Sequence, residues 1–179
     1  MLGRHRKLIP TAAKRLVWGR GDGSDLEVDS LPFARLSGLL CWENYMLLAR
    51  YALTAWGRQI MAAPTWDRKQ PWLSTLRHIA KECKSFVIGC GSAMHMDDIS
   101  DLLSFKSEFL GDIDGWLNPD ESLIVDPDGK MWTGRQWTRK PSCMQRLQKG
   151  QRSGLRWQLD IVGHYARPDV FELRVRRSP

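Results

Sequence analysis

The sequence predicts an α+β fold in which a helical layer over about residues 33–110 packs on a C-terminal antiparallel sheet over about residues 122–177, preceded by a flexible basic arm. Three observations predict it. Apolar residues keep helical spacing between Leu36 and Leu110, the period shortens to two beyond Gly111, and the first twenty residues hold Arg4, Arg6, Lys7, Lys14, Arg15 and Arg20 with no acidic residue. With 179 residues, 42% hydrophobic and 26% charged, the chain suits one globular domain over residues 31–179 and an arm over 1–30. A chain of that size closes a core without a disulfide or a metal.

Taken in order, the arm is divided by Pro10 and ends in Gly19-Arg20-Gly21-Asp22-Gly23-Ser24, which is linker chemistry. From Pro32 the pattern reads as a long helix. Leu36, Leu39, Leu40, Tyr45, Leu48, Leu53 and Trp56 leave only a narrow polar stripe of Arg35, Glu43, Arg50 and Arg58, so Tyr45, Leu48 and Trp56 are expected in the core. The charges at its centre argue against a membrane span. A second helix starts near Asp67 to Pro71, with Trp72, Leu73, Leu76, Ile79, Ala80 and Cys83 on one face and Arg77, Lys81 and Lys84 on the other.

Phe86-Val87-Ile88, closed by Gly89 and Gly91, fits either a strand or the tail of that helix. Asp97 or Asp98 caps a third helix carrying Ile99, Leu102, Leu103, Phe109 and Leu110. Leu123-Ile124-Val125 and Met131-Trp132-Thr133 flank Asp126-Pro127-Asp128-Gly129 as a hairpin. Leu155, Trp157, Leu159 and Ile161 alternate with polar residues, as do Phe171, Leu173 and Val175, which completes the expected sheet.

The formal charge of +7 conceals segregation, with −9 over residues 91–129 beside +9 over residues 130–179. A basic face attracts phosphate-rich partners. Lys130, Arg135, Arg139, Lys140, Arg146, Lys149, Arg152 and Arg156 are interleaved with Trp132, Trp137 and Trp157, and bases stack on tryptophan while guanidinium and ammonium groups hold phosphates. The expected function is that of a small, non-enzymatic protein binding a polyanion, nucleic acid before others. Its expected contacts are Arg4, Arg6, Lys7, Lys14, Arg15, Trp132, Arg135, Trp137, Arg139, Lys140 and Arg156.

Two other classes compete. A basic, apolar arm on an α+β body also suits a self-associating structural protein lying on anionic membrane, as a viral matrix protein does, with the acidic and basic blocks pairing between copies. A metal-dependent enzyme is the other, because His78, Glu82, Cys83, Cys90, His95, Asp97 and Asp98 fall within about twenty positions. Their spacing matches no zinc signature. Asp112-Ile113-Asp114-Gly115 lacks the remaining ligands of a calcium loop, and there is no GxSxG elbow, P-loop or GxGxxG turn. No cofactor is expected. Cys41, Cys83, Cys90 and Cys143 read as reduced thiols, and with no secretory signal the expected location is intracellular, cytoplasmic or nuclear.

Overall fold

A short strand, a 3₁₀ turn, a nine-residue helix and the start of a second strand occupy the stretch where one long helix is expected. The computed structural model describes residues 3–67, 69–108, 113–119, 121–133 and 144–177. After a 3₁₀ turn at Ala12–Leu16, the strands and α-helices in chain order are β1 (Asp29–Ser30), β2 (Arg35–Gly38), α1 (Leu47–Ala55), β3 (Ile60–Thr65), α2 (Lys69–Cys83), β4 (Phe86–Gly91), β5 (Met94–His95), β6 (Trp116–Asn118), β7 (Leu123–Val125), β8 (Met131–Thr133) and α3 (Lys149–Arg156). Six strands form a mixed sheet in the order β1-β2-β3-β4-β7-β8. Within it β2, β3 and β4 run parallel, with Leu36 opposite Ile60 and Ile60 opposite Phe86, while β1, β7 and β8 join antiparallel. A separate ribbon pairs β5 with β6.

This arrangement corrects the expected helix-on-sheet order. Between Leu36 and Trp56 the chain makes a strand, a 3₁₀ turn at Cys41–Tyr45 and a helix of nine residues. A continuous apolar run does not itself distinguish a buried strand from a buried helix. The reassignment moves side chains: Tyr45 and Leu48 are 47% and 66% exposed, and Trp56 is half-buried under the Arg177 guanidinium, 4.1 Å from its ring centre. α1 ends at Gly57, whose φ of +85° lets the Arg58 amide reach the Leu53 carbonyl and the Gly57 amide the Thr54 carbonyl. That pair of bonds is a Schellman cap.

α2 follows the sequence closely. Trp72, Leu73, Leu76, Ile79, Ala80 and Cys83 are all buried, and together with Ala49 and Leu53 of α1 they meet Met61, Ala63, Val87, Leu123 and Val125 of the sheet in one core. Lys84 departs from its expected solvent face. It leaves the helix with φ +46° and is buried, its Nζ 3.9 Å from Asp128. Phe86–Gly91 is a strand between β3 and β7, and the β7–β8 hairpin turns on Asp126, whose Oδ1 accepts from the Asp128 and Lys130 amides at 2.9 Å each.

Two further expectations are corrected. His95, not an aspartate, caps the 3₁₀ turn Met96–Asp98, and no helix follows over residues 99–105, where Leu102 is 94% exposed. Residues 149–156, which include the start of an expected strand, are helical, and residues 157–177 form no strand. α3 is fixed from outside: Arg152 donates to the Lys84 and Arg58 carbonyls at 2.9 and 3.1 Å, and Gln151 to Asp126 at 2.8 Å. Residues 3–30, read as an arm, lie along the body. Leu26 is buried in the core cluster, and Leu8 and Val28 pack against it. Among the described residues no helix is long and apolar enough to cross a membrane.

Candidate active site

The parallel strands β2, β3 and β4 direct their C-terminal ends to one edge of the sheet, which in open α/β sheets is where ligands bind. The segments leaving that edge are Leu39–Tyr45 after β2, Trp66–Asp67 after β3 and Ser92 after β4. Cys41 opens the first of them. It is a free, half-buried thiol, and its backbone takes a φ of +56° at the first residue of the 3₁₀ turn. Left-handed backbone at a residue with a side chain is held only where the surroundings over-determine it, and such positions cluster at functional sites.

The surroundings do so here. Asn44 is fully buried and donates through Nδ2 to the Leu39 carbonyl at 2.9 Å and the Cys41 carbonyl at 2.7 Å. Glu43 is 2% exposed and folds back to accept the Leu40 amide at 2.8 Å. Its other oxygen accepts the Leu8 amide, and His5 Nε2 lies 3.0 Å from Oε2. Burial alone would raise the Glu43 carboxyl, but the hydrogen bonds from His5, Leu8 and Leu40 and the His5 charge outweigh it and hold the group below its ordinary value. From the far side Arg50 donates to the Asn44 carbonyl at 2.8 Å and forks onto Glu82 of α2 at 3.1 and 3.2 Å.

The Glu43–Leu8 bond brings the N-terminal segment to this turn, and with it Lys7, the half-buried neighbour of Leu8, whose Nζ donates to Thr11 Oγ1 at 2.9 Å. Trp42, half exposed, donates its indole N–H to Asp67 at 3.0 Å, joining the loops after β2 and β3. Asn118 of β6 is buried and donates to the Trp66 carbonyl at 3.0 Å. A thiol and a buried carboxylate thus share one turn at a strand end, an imidazole bonds that carboxylate, and the segment carrying Lys7 is tied to the same turn through the Leu8 amide. Such a set can add sulfur to an electrophilic carbon and move protons around the adduct.

Of the residues expected to grip a polyanion, Arg6, Lys7 and Lys14 line one pocket beside Pro10 and Trp18, and the other described ones make separate contacts. Arg4 faces Asp25 at 3.7 Å, Arg15 donates to the Pro10 carbonyl at 2.8 Å, Arg156 pairs with Asp160, and Trp132 packs on Phe86 with ring centres 5.5 Å apart. Arg6 and Lys14 are exposed, and Lys7 is half-buried. Arg135, Trp137, Arg139 and Lys140 lie outside the described residues. The Cys83-to-Asp98 cluster does not assemble either. Among the described residues no three His, Cys, Asp or Glu side chains stand together as metal ligands, and burial pushes the Cys83 thiol up, away from the thiolate a metal takes.

Cys41, Glu43 and His5 are not among the residues that charge and aromatic spacing single out. The available signal was an acid and an amide, Glu43 and Asn44, directly after a cysteine inside an apolar run, where unpaired polar groups are costly.

The profile of the carbon–nitrogen hydrolase family matches residues 1–152. An aliphatic nitrilase of Sinorhizobium fredii (strain HH103) is 37% identical over 100% of this chain and 58% of its own length. A bifunctional nitrilase/nitrile hydratase of Nicotiana tabacum is 36% identical over 98% of this chain and 51% of its own. The chain therefore spans about half the length of the curated relatives it matches. A carbon–nitrogen hydrolase structure from Helicobacter pylori G27 shares the fold, with a TM-score of 0.59 over 78% of this chain and 49% of that one at 16% identity. These matches overturn the reading of a non-enzymatic nucleic-acid binder, and with it the structural and membrane roles set beside it.

Proposed function

We propose that this chain, which belongs to the carbon–nitrogen hydrolase family, carries the nucleophile of a nitrile-hydrolysing site, and that the nucleophile is Cys41. The observation that supports this most is the left-handed Cys41 at the head of a turn braced by Glu43 and Asn44, at the ligand-binding edge of a parallel sheet. Sequence relatives named as nitrilases point to the nitrile group as the substrate class.

The chemistry follows from the groups present. The Cys41 sulfur, as thiolate, forms a bond to the nitrile carbon while one C–N π pair moves onto nitrogen, which takes a proton to give a thioimidate. Water adds to that carbon, ammonia leaves, and a thioester remains on Cys41. A second water cleaves the thioester, releasing the carboxylic acid and returning the thiol. In this reading the Lys7 ammonium stabilises the charge that develops on nitrogen, as fixed cations do in water-poor sites. Trp42 and Trp66, each about half exposed at the same edge, offer apolar walls for the remainder of the substrate.

The test is ammonia release from a panel of aliphatic and arylaliphatic nitriles, with the matching amides alongside. The expected result is release from at least one nitrile, reduced about 10³-fold or more in Cys41→Ser, as when a covalent nucleophile is removed. Equal release by Cys41→Ser, or none by the unaltered chain, would reject the assignment.

A further inference from the structure

His5 stands at the site without a role in that chemistry. It is faced by Glu43 of the 3₁₀ turn, 3.0 Å from Nε2, and by Asp25 of the loop before β1, whose carbonyl lies 3.4 Å from Nδ1 and whose carboxylate faces Arg4 at 3.7 Å. Both direct partners of the ring accept and neither donates. The Asp25 carbonyl has no proton, and the Glu43 carboxylate, already accepting two backbone amides, is kept ionised by them. A neutral imidazole has one N–H and leaves one contact as a repulsion between lone pairs. Only the imidazolium satisfies both sides.

We propose that His5 is a positioning residue held as an imidazolium, and that its charge cancels the Glu43 carboxylate so that Cys41, two residues away, reacts beside a neutral pair instead of a buried negative charge. This rests on Cys41 being the reactive thiol. The ring is 17% exposed and the carboxylate 1%, so solvent screens the pair little and the cancellation has to come from within the protein. The hydrogen bond to Glu43, outweighing burial, raises the His5 pKa, in agreement with the geometry. Without the cation, the carboxylate opposes formation of the thiolate, and thiolate is the form that attacks carbon.

The readout is alkylation of Cys41 by iodoacetamide at pH 7, followed by peptide mass mapping so that the other cysteines are separated. The expected result for His5→Gln is a rate about tenfold lower, from one uncompensated charge two residues along the same turn in a partly desolvated site. The double variant His5→Gln/Glu43→Gln, with neither charge, is expected to return to within about threefold of the unaltered chain. A purely structural His5 would give no such rescue. An unchanged rate in His5→Gln, or a double variant as slow as the single one, would overturn the proposal. If His5→Gln does not fold, ¹⁵N chemical shifts of the His5 ring in the unaltered chain decide: both nitrogens protonated at pH 6.5 is expected, and a ring half or more neutral overturns it. None of these measurements needs turnover. Failure to release ammonia with the alkylation pattern intact therefore rejects the hydrolytic reading alone.

Discussion

Removing the Glu43 carboxylate leaves the Leu8 and Leu40 amides and the His5 ring without their acceptor in a place that solvent does not reach. Glu43→Ala is accordingly expected to cost about 3 kcal/mol of stability, the scale for breaking one partner out of a buried ion pair; a loss under about 1 kcal/mol in urea unfolding would count against the bracing described. The same pair predicts a pH dependence. His5 is raised from its ordinary 6.5 by the hydrogen bond to Glu43 against the opposing effect of burial, so its stabilisation is complete below about pH 6.5 and is lost as pH climbs through the raised value. Glu43, which burial would raise, is lowered from its ordinary 4.5 by its hydrogen bonds and the His5 charge, so its stabilisation is present above about pH 4.5 and is lost as pH falls through the lowered value. The pair contributes most between those limits, and the difference in urea midpoint between the unaltered chain and His5→Gln/Glu43→Gln should peak there. A difference that is flat from pH 4 to 9 would contradict the pairing. At this scale the sequence was hardest to read. Glu43 looks like part of a solvated stripe on a helix and His5 like one more residue of a basic segment, because their partners lie 35 and 38 positions away in the chain.

The elements divide into those whose pattern is local and those whose pattern depends on the sheet. α2 was legible because one face alone is buried, and the β7–β8 hairpin because Asp126 and Gly129 dictate the turn. β2, the 3₁₀ turn at Cys41–Tyr45 and α1 were not, because a stretch covered on most sides loses the alternation that separates strand from helix. The C-terminal alternation misled for the opposite reason: period two favours a strand only where a ladder partner exists, and α3 is held by side-chain bonds to Asp126, Lys84 and Arg58. The packing of α2 on β4 is tight enough to test. A Cβ at Gly89 would lie 2.6 Å from Leu76 Cδ1 and 3.0 Å from Leu123 Cδ2, both in the core. Gly89→Ala is therefore expected to destabilise by about 1–3 kcal/mol through overpacking, read from the shift in the unfolding midpoint. A neutral or stabilising result would mean that β4 and α2 do not pack at this distance.

Over the whole molecule, the net charge pointed toward a polyanion because counting charges ignores where they are satisfied. Arg50 pairs with Glu82, Arg167 with Asp169 and Arg174 with Glu172, while Arg152 is turned onto backbone carbonyls. Arg50 and Arg152 are committed inside the fold, Arg167 and Arg174 are paired at its surface, and arginines paired with carboxylates leave a weaker local field than their number suggests. The same view explains why residues 3–30 matter. They bring His5 and Leu8 onto Glu43 beyond the end of β2, so a segment that reads as a solubilising arm becomes one wall of the proposed site. Cys41 as the covalent nucleophile is the claim on which this assembly rests, and trapping tests it most directly. The chain would be incubated with a nitrile, quenched in acid, and its peptides weighed. The account predicts a mass increase equal to the bound substrate fragment on the peptide containing Cys41, absent from Cys41→Ser and unaffected by Cys90→Ser. An adduct on another residue, or an adduct that survives Cys41→Ser, would contradict it.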